Sequence, residues 1–345
     1  MKVLVIRMSA MGDVAMTVPV VASFARRFPG VEVTVLSNPR FEGMFPSLPN
    51  LRFFGADTKR EYVGLAGIFK LFGELSSQDR YDKVIDLHDV LRSKVLRSLF
   101  RMKGVPCSVI DKGRGEKRAL TRRGKKRMVQ LKPSVERYRE TFARAGFDFE
   151  VLNEGLLRKS EGLSSAILSV TGEKKGKWLA VAPFAQHQGK IYPLEKMEKV
   201  ISSLSERKDM KILLFGGGKK EIDVFDSWVS RYEGLVSLAG KFSMREELQI
   251  LDASDLLLSM DSSNMHLASL VQTPVVSIWG ATHPFAGFYG YGQNPANIIQ
   301  KEMDCRPCSI YGNKPCLRGD YACLNQVSTE EVIDKVISVL FDSQR

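Results

Sequence analysis

The chain has 345 residues, of which 44% are hydrophobic and 26% are charged, an ordinary composition for a globular protein. This length exceeds what one hydrophobic core usually holds, so two domains are expected. No apolar run reaches the roughly 18–20 residues that span a bilayer, and the opening residues lead into a strand rather than a signal peptide, which predicts a cytoplasmic protein. Five cysteines, an odd number, do not resemble a secreted disulfide framework.

The net charge of +12 is concentrated in one region. Between Arg92 and Arg144 there are 18 Lys/Arg residues against 4 Asp/Glu, and the densest part, Lys112 to Arg127, has nine basic residues and one acidic residue. Such a stretch suits nucleic acid, an anionic membrane face or a phosphorylated acceptor. The alternative is a solvated loop without a partner.

The first half of the chain predicts alternating strands and helices. Val3–Ile6 reads as a strand buried on both faces, and apolar residues at helical spacing follow from Val14 to Phe28. In chain order the next predicted elements are strands at Val31–Leu36, Leu51–Phe54 and Lys83–Leu87, a helix at Val90–Arg101, a strand at Cys107–Ile110 and a helix at Ser134–Ala145.

Residues 150–176 are more polar and suit an inter-domain connection, after which the pattern restarts. The predicted elements are strands at Trp178–Ala182, Met210–Gly218, Leu235–Leu238, Leu256–Ser259 and Thr273–Gly280, and an amphipathic helix at Ser328–Phe341. That helix begins with Ser-Thr-Glu-Glu, a helix-start signature. Two successive α/β halves with a cleft between them are therefore predicted.

Gly12 and Asp13 stand at the exit of the first predicted strand, where open α/β sheets bind ligands. Asp13 either caps the following helix or faces a ligand. No cation is expected beside it, and such an exposed carboxylate is ionised at pH 7 and can act as a base.

Three strand exits in the second half carry candidate ligand groups. The glycine turn Phe215–Glu221 lacks the G-x-G-x-x-G and P-loop spacings, so Glu221 either accepts hydrogen bonds from a ribose or belongs to a plain tight turn. Lys190, in the loop after another strand, either neutralises a pyrophosphate leaving group or is a solvated surface lysine.

The segment Ser259–Leu270 passes from a strand into a helix through Asp261, Ser262 and Ser263. Short polar residues at such a turn leave backbone N–H groups for a phosphate, and an ordinary N-cap is compatible with that role. His266 falls on the first helical turn, where it either packs in the core or touches the ligand.

Four cysteines, Cys305, Cys308, Cys316 and Cys323, follow C-x2-C-x7-C-x6-C spacing. Four thiolates suit structural zinc, although the gaps do not reproduce a two-knuckle pattern, so reduced thiols or a labile disulfide remain alternatives. Motifs of serine hydrolases and zinc proteases are missing from the sequence, which offers no positive case for a catalytic metal.

Four segments occur in the order typical of one known family. They are RMSAMGDVAMTVPV from Arg7, DLHDVLRSKVL from Asp86, DSSNMHLASLVQTPVVSIWGATHP from Asp261, and the cysteine-bearing tail. Together they resemble glycosyltransferase family 9, the ADP-heptose:lipopolysaccharide heptosyltransferases. The chain departs from the family pattern at Ser263 and Asn264, and at Phe184 and Tyr192, which replace a glycine and a tryptophan.

The resemblance implies a GT-B fold, in which two Rossmann-like domains face each other across a cleft and a C-terminal helix returns to the first domain. Residues 1–160 would bind the acceptor, residues 177–325 would bind the donor, and residues 326–345 would form the returning helix. The implied reaction is an inverting, metal-independent transfer of heptose from ADP-heptose to the inner core of lipopolysaccharide, with no cofactor.

The resemblance also implies roles for single residues. Asp13 becomes the general base. The donor-binding set is Lys190, Glu221, Asp261, Ser262, Ser263 and His266, and the acceptor-binding set is Ser9, Gly12, Arg92, Arg122 and Arg123. The basic stretch would hold the phosphorylated Kdo–lipid A acceptor, with the enzyme peripheral at the cytoplasmic face of the inner membrane and without a nucleic-acid partner.

Three alternatives stand beside this interpretation. A family member could use a different nucleotide sugar. An epimerase or dehydrogenase is disfavoured because G-x-G-x-x-G is missing from the sequence. A nucleic-acid-binding protein is disfavoured because no aromatic residue interrupts Lys112–Arg127.

Overall fold

The computed structural model describes residues 1–155 and 162–342. These residues form two compact units. Unit 1 contains residues 1–113 and 132–155, and unit 2 contains residues 114–131 and 162–342. Each unit contains one sheet in which every strand pair is parallel.

The sheet of unit 1 has the strand order β3-β2-β1-β4-β5. Its strands are β1 (Lys2–Ile6), β2 (Glu32–Ser37), β3 (Leu51–Gly55), β4 (Lys83–Asp86) and β5 (Cys107–Val109). The strands β2 and β3 lie on one side of β1, and the chain then crosses to the other side of β1 to form β4 and β5. The gap between the ends of β1 and β4 is therefore a topological switch point, where open α/β sheets bind ligands.

Four helices surround this sheet: α1 (Met11–Arg27), α2 (Gly64–Gln78), α3 (Leu91–Met102) and α5 (Ser134–Arg144). Leu71 of α2 and Leu96 of α3 are buried with Leu4 and Ile6 of β1 in one core. The helix α1 packs against α5, with the rings of Phe24 and Phe142 4.8 Å apart between centroids.

The sheet of unit 2 has the strand order β11-β10-β9-β6-β7-β8. Its strands are β6 (Lys177–Ala182), β7 (Met210–Leu214), β8 (Leu235–Ser237), β9 (Leu256–Met260), β10 (Val275–Trp279) and β11 (Ile298–Gln300). The switch point here lies between the ends of β6 and β9.

The helices of unit 2 are shorter on average. They are α4 (Arg114–Leu120), α6 (Ser165–Thr171), α7 (Leu194–Ser205), α8 (Lys219–Val229), α9 (Met244–Ala253), α10 (Ser263–Leu270), α11 (Ala322–Asn325) and α12 (Thr329–Ile337), which continues into a π-helical turn over Ser338–Asp342. Short 3-10 turns in the two units cover Pro39–Met44, Gln188–Lys190, Pro284–Ala286 and Pro295–Asn297. Within residues 1–155 and 162–342, no helix combines the length and the hydropathy required to cross a membrane.

The predicted α/β architecture is confirmed by the two parallel sheets. Residues 156–161 of the predicted inter-domain connection lie outside the described residues, as do the last three residues of the predicted C-terminal segment. The described part of that connection contains α6. The first helix begins at Met11, three residues before its predicted start, because the turn after β1 already has helical geometry.

The basic segment 114–131 belongs to unit 2, whereas the predicted boundary placed it in the N-terminal domain. Leu120 and Leu131 are buried in a small core with Ala286. The backbone N–H of Leu131 donates to the carbonyl of Phe285 at 2.9 Å. The burial of these two leucines and the Leu131 hydrogen bond therefore attach this segment to the second unit.

The C-terminal helix also belongs to unit 2. The helix α12 packs against α7, and Val332 and Val336 are fully buried in the core of that unit. The resemblance implies that this helix returns to the first domain, and that expectation stays a prediction. The apolar face of α12 completes the core formed by α7.

Candidate active site

Asp13 lies in the first turn of α1, at the switch point of unit 1. The N-cap of α1 is Ala10, which makes no side-chain capping bond, and Asp13 is the third helical residue. Asp13 is therefore not the cap of this helix. A carboxylate in the first turn interacts favourably with the helix dipole, and the Asp13 side chain keeps 30% of its surface exposed.

A cation lies next to Asp13, which corrects the expectation of an isolated carboxylate. Nη2 of Arg7 is 2.5 Å from Oδ2 of Asp13, and the Arg7 side chain is only 8% exposed. Nη1 of Arg7 also donates to the carbonyl of Leu87 at 2.7 Å, and its guanidinium lies 5.8 Å from the Tyr138 ring centroid. Because Arg7 is fixed by the end of β4, it fixes the Asp13 carboxylate in turn.

His88 joins the two strand exits of this switch point. Its Nδ1 lies 3.4 Å from the backbone N–H of Met8, and its Nε2 lies 3.4 Å from Oγ of Ser9. Burial, with a further contribution from the positive charge of Arg7, lowers the pKa of His88 to about 3. The ring is therefore neutral at pH 7 and serves as a hydrogen-bonding group beside Ser9 and Asp13.

The turn after β4 is held by the fully buried Asp86. Its Oδ1 accepts the backbone N–H groups of His88 and Asp89, both at 2.9 Å, and its Oδ2 accepts Nη1 of Arg97 at 2.6 Å. This turn leads into α3, whose second residue is the exposed Arg92. Of the predicted acceptor set, Ser9 and Gly12 lie beside Asp13, whereas Arg92 lies on the next strand-to-helix connection of the same unit.

Arg122 and Arg123 are exposed in the loop after α4 and belong to unit 2. They therefore belong to a different unit from Ser9, Gly12 and Arg92, although the sequence analysis grouped all five. The loop is attached to unit 2 by Lys126, whose Nζ donates to the carbonyl of Asp304 at 2.8 Å.

Lys190 and Asp261 meet at the switch point of unit 2. Nζ of Lys190 is 2.9 Å from Oδ2 of Asp261, and the same oxygen accepts the hydroxyl of Thr282 at 2.7 Å. The side chains of Lys190 and Asp261 are 16% and 5% exposed. Gly312 borders the lysine so closely that an added Cβ would lie 2.7 Å from its Cγ. Lys190 is therefore a positioned, largely buried cation rather than a solvated surface lysine.

The helix α10 begins directly after Asp261. Its N-cap, Ser262, makes no side-chain capping bond, and Oγ of Ser262 instead lies 3.1 Å from Oγ of Ser259. The first N–H groups of α10 are thus available for an anion, together with the positive end of the helix dipole. Ser263 is half-buried at the first helical position, and His266 is buried one turn further along.

Glu221 lies in the first turn of α8, after the glycine turn that follows β7. Its Oε2 accepts the backbone N–H of Gly217 at 2.8 Å, and burial raises the pKa of its carboxyl group. A Cβ at Gly216 would lie 2.6 Å from that oxygen, so only glycine leaves room for the folded-back carboxylate. Because this hydrogen bond uses Oε2, Oε1 is the oxygen that can accept a hydrogen bond from a ligand hydroxyl.

The five cysteines are all free thiols in this structure. Cys305, Cys308, Cys316 and Cys323 line one small cavity together with the buried Arg306. Burial raises the pKa of Cys323 to about 11. Among the described residues, however, no group of three or more His, Cys, Asp or Glu side chains is arranged to hold a metal ion.

Sequence reasoning missed three residues of these sites: Arg7, His88 and Thr282. Arg7 and His88 each stand one or two positions beyond a buried strand, the same signal that identified Asp13. Thr282 follows β10 in the quoted segment that ends in GATHP. Their position just after a strand could therefore have marked these three residues as candidates. The side chains with which they pair could not be read from the sequence.

Two parallel α/β sheets in succession, each with fixed ionic side chains at its switch point, are the arrangement of the GT-B fold, which glycosyltransferases use. A profile of the family described as glycosyltransferase family 9 (heptosyltransferase) matches residues 68–315, more than half of the chain. The chain belongs to that family and is a glycosyltransferase.

Individual relatives agree with this assignment. The chain is 22% identical to lipopolysaccharide heptosyltransferase 1 of Campylobacter coli over 364 aligned positions that cover 100% of both chains. Among solved structures, the glycosyl transferase family 9 of Veillonella parvula superposes with a TM-score of 0.75 at 19% identity, covering 99% of this chain and 97% of that one.

The Escherichia coli heptosyltransferase WaaC, solved with ADP-2-deoxy-2-fluoro heptose, superposes with a TM-score of 0.68 at 20% identity. The superposition covers 97% of this chain and 99% of that one. At these identities the two solved structures establish the fold.

Proposed function

We propose that this enzyme transfers a heptose from ADP-heptose to the inner core of lipopolysaccharide, either to Kdo–lipid A or to a core that already carries heptose. The family, and the Campylobacter coli relative that aligns over its whole length, support this substrate class. WaaC, which resembles this chain in fold, binds an analogue of ADP-heptose. The observation that carries the proposal is the partly exposed Asp13 carboxylate, held at a switch point by Arg7.

In the proposed reaction Asp13 accepts the proton of the acceptor hydroxyl. The hydroxyl oxygen then bonds to the anomeric carbon of the heptose, while the bond from that carbon to the diphosphate oxygen breaks and ADP leaves. Attack from the face opposite the diphosphate inverts the anomeric centre. Arg7 contacts Oδ2, so Oδ1 is the oxygen we assign to the proton.

The leaving diphosphate gains negative charge as the sugar takes on oxocarbenium-like character. We propose that Lys190 and the first N–H groups of α10 stabilise that charge, which makes the transfer independent of a metal ion. Ser262 and Ser263 belong to this phosphate turn, and His266 borders it. Because Asp261 binds both Lys190 and Thr282, we assign Asp261 to holding the lysine in place.

Glu221 is the proposed nucleoside contact, since Oε1 can accept a ribose hydroxyl while Oε2 stays on the Gly217 N–H. Ser9, Gly12 and Arg92 remain proposed contacts of the acceptor. Arg122 and Arg123 are proposed to meet its phosphates from a loop of unit 2. The enzyme would then work at the cytoplasmic face of the inner membrane.

The test is release of ADP from ADP-heptose, with Kdo–lipid A and separately with a one-heptose core as acceptor. Wild type and Asp13→Asn run side by side, and ADP affinity is measured by calorimetry on both. Asn cannot take the proton, so we expect turnover to fall by at least about a hundredfold with ADP affinity unchanged. Preference for Kdo–lipid A would identify addition of the first heptose, and preference for the one-heptose core would identify addition of the second.

Equal turnover in the Asp13→Asn variant would remove Asp13 as the base. A folded wild type that binds ADP but uses neither acceptor would favour a different nucleotide sugar. Ser263 and Asn264, where the family commonly has glycine and a variable residue, are the observation behind that second candidate.

A further inference from the structure

The helix α2 of unit 1 has two apolar faces. One face packs into the core through Ile68, Leu71 and Leu75, which are at most 4% exposed. The other face is open to solvent, with Leu65 61% exposed and Phe69 55% exposed. Such large apolar side chains at helical spacing are unusual on a surface without a partner.

This open face continues beyond those two residues. Val63, which precedes the helix, is 55% exposed, and the half-buried Phe72, one turn after Phe69, forms the border of the face and also packs on the Phe100 ring. We call the group Val63, Leu65, Phe69 and Phe72 the outer face of α2. Leu91, at the start of α3, is 76% exposed. Its neighbour Arg92 donates to the hydroxyl of Thr58 at 3.4 Å, which ties the start of α3 to the loop before α2.

Cations flank this apolar surface. Residues 58–78 and 91–103, which include all of α2 and α3, contain eight Lys/Arg residues and two acidic residues, Glu61 and Glu74, which both pair with Lys70. Seven of the eight are exposed: Lys59, Arg60, Lys70, Arg92, Lys94, Arg101 and Lys103. The ammonium of Lys103 lies 4.8 Å from the Phe72 ring centroid, and that of Lys70 lies 5.1 Å from the Tyr62 ring centroid. Long cationic side chains therefore border the aromatic surface with their charges in water.

The surface begins at the same edge of the sheet as Asp13. All strands of unit 1 are parallel, so α1, α2 and α3 each start at the carboxyl edge of the sheet. The N-terminal ends of α2 and α3 carry Val63, Leu65 and Leu91. A ligand that contacts them can extend toward Asp13 without crossing the sheet.

We propose that the outer face of α2, with Leu91, docks on an anionic lipid bilayer. The apolar side chains enter the interfacial region and the surrounding cations contact lipid phosphates, as in interfacial amphipathic helices. The choice of a bilayer rests on the proposed function, in which the acceptor is anchored in lipid, and on charge complementarity. A second copy of this chain is disfavoured because it would bring the same cations together.

The experiment measures co-sedimentation of the full chain with phosphatidylglycerol/phosphatidylethanolamine vesicles, and with phosphatidylcholine vesicles for comparison. The test variant is Leu65→Ser/Phe69→Ser. The matched control is Leu152→Ser/Val229→Ser, which alters two exposed apolar residues outside α2 and α3, one in each unit. Circular dichroism and thermal unfolding check that each variant folds.

We expect the test variant to lose at least tenfold in partition onto anionic vesicles, while the control stays within twofold of wild type. Added salt should weaken wild-type binding. If the test variant fails to fold, Lys59→Glu/Arg60→Glu, which alters only exposed charges, should lower binding to anionic vesicles in the same way.

Test-variant binding equal to wild type would overturn the proposal. A wild-type dimer in gel filtration that dissociates in the test variant, with unchanged vesicle binding, would also overturn it and assign the surface to a second copy. These vesicles contain no saccharide acceptor. Failure of heptose transfer by the wild type would therefore defeat the proposed function without altering the vesicle result.

Discussion

The Lys190–Asp261 pair makes the sharpest test of the donor site. In Asp261→Asn the side chain keeps its shape but loses its charge, and its Oδ2 atom at present accepts both Lys190 at 2.9 Å and Thr282 at 2.7 Å. Hydrogen bonds to a charged group contribute about 1.5–3 kcal/mol. Because both side chains are largely buried, little solvent screening reduces that figure. If Lys190 loses this much stabilisation of its position, kcat/KM for the nucleotide sugar should fall by about 10- to 100-fold.

The assay is ADP release at varied donor concentration in a double-mutant cycle of Lys190→Met and Asp261→Asn. If Asp261 acts through Lys190, the two effects are not additive, and the double variant is no worse than Lys190→Met. Thr282→Ser, which keeps the hydroxyl, is the control and should match wild type. Additive losses, or Asp261→Asn within twofold of wild type, would refute the positioning role.

Two further predictions use the pKa shifts. His88 has a pKa of about 3 in the folded protein against an ordinary 6.5, so its contribution to stability is complete above pH 6.5 and is lost as the pH falls towards 3. Thermal unfolding at pH 7 and pH 5 should show a loss of up to about 2 kcal/mol that His88→Gln reduces; an equal pH dependence in both proteins would contradict this. Cys323, with a pKa of about 11, should be the last of the four cavity thiols alkylated by iodoacetamide at pH 8, and early labelling in a peptide map would disprove it.

The strands were predictable because both sheets are parallel and buried. Strands such as Val3–Ile6 and Trp178–Ala182 are continuous apolar runs, a pattern that needs no knowledge of the partners. The candidate sites were predictable for a related reason, since ligands of parallel sheets bind where these runs end. Asp13, Lys190 and Asp261 each follow such a run.

The pairing of individual side chains was not predictable in the same way. Arg7 and Asp13 are six positions apart, but their pairing depends on the path of the chain between β1 and α1. The segment 114–131 was predicted to belong to the first half, and only the tertiary structure shows that its Leu120 and Leu131 join Ala286. The local pattern of charge carries no such information.

The placement of segment 114–131 has a consequence for how the enzyme can be divided or recombined. The chain passes between the units after residue 113, after residue 131 and again before residue 162. No single cut therefore separates two self-sufficient pieces. A fragment of residues 1–155 would carry Leu120 and Leu131 without the Ala286 that they contact. A chimera that exchanges the donor unit between family members must graft two stretches of sequence, one of them nested inside the other unit.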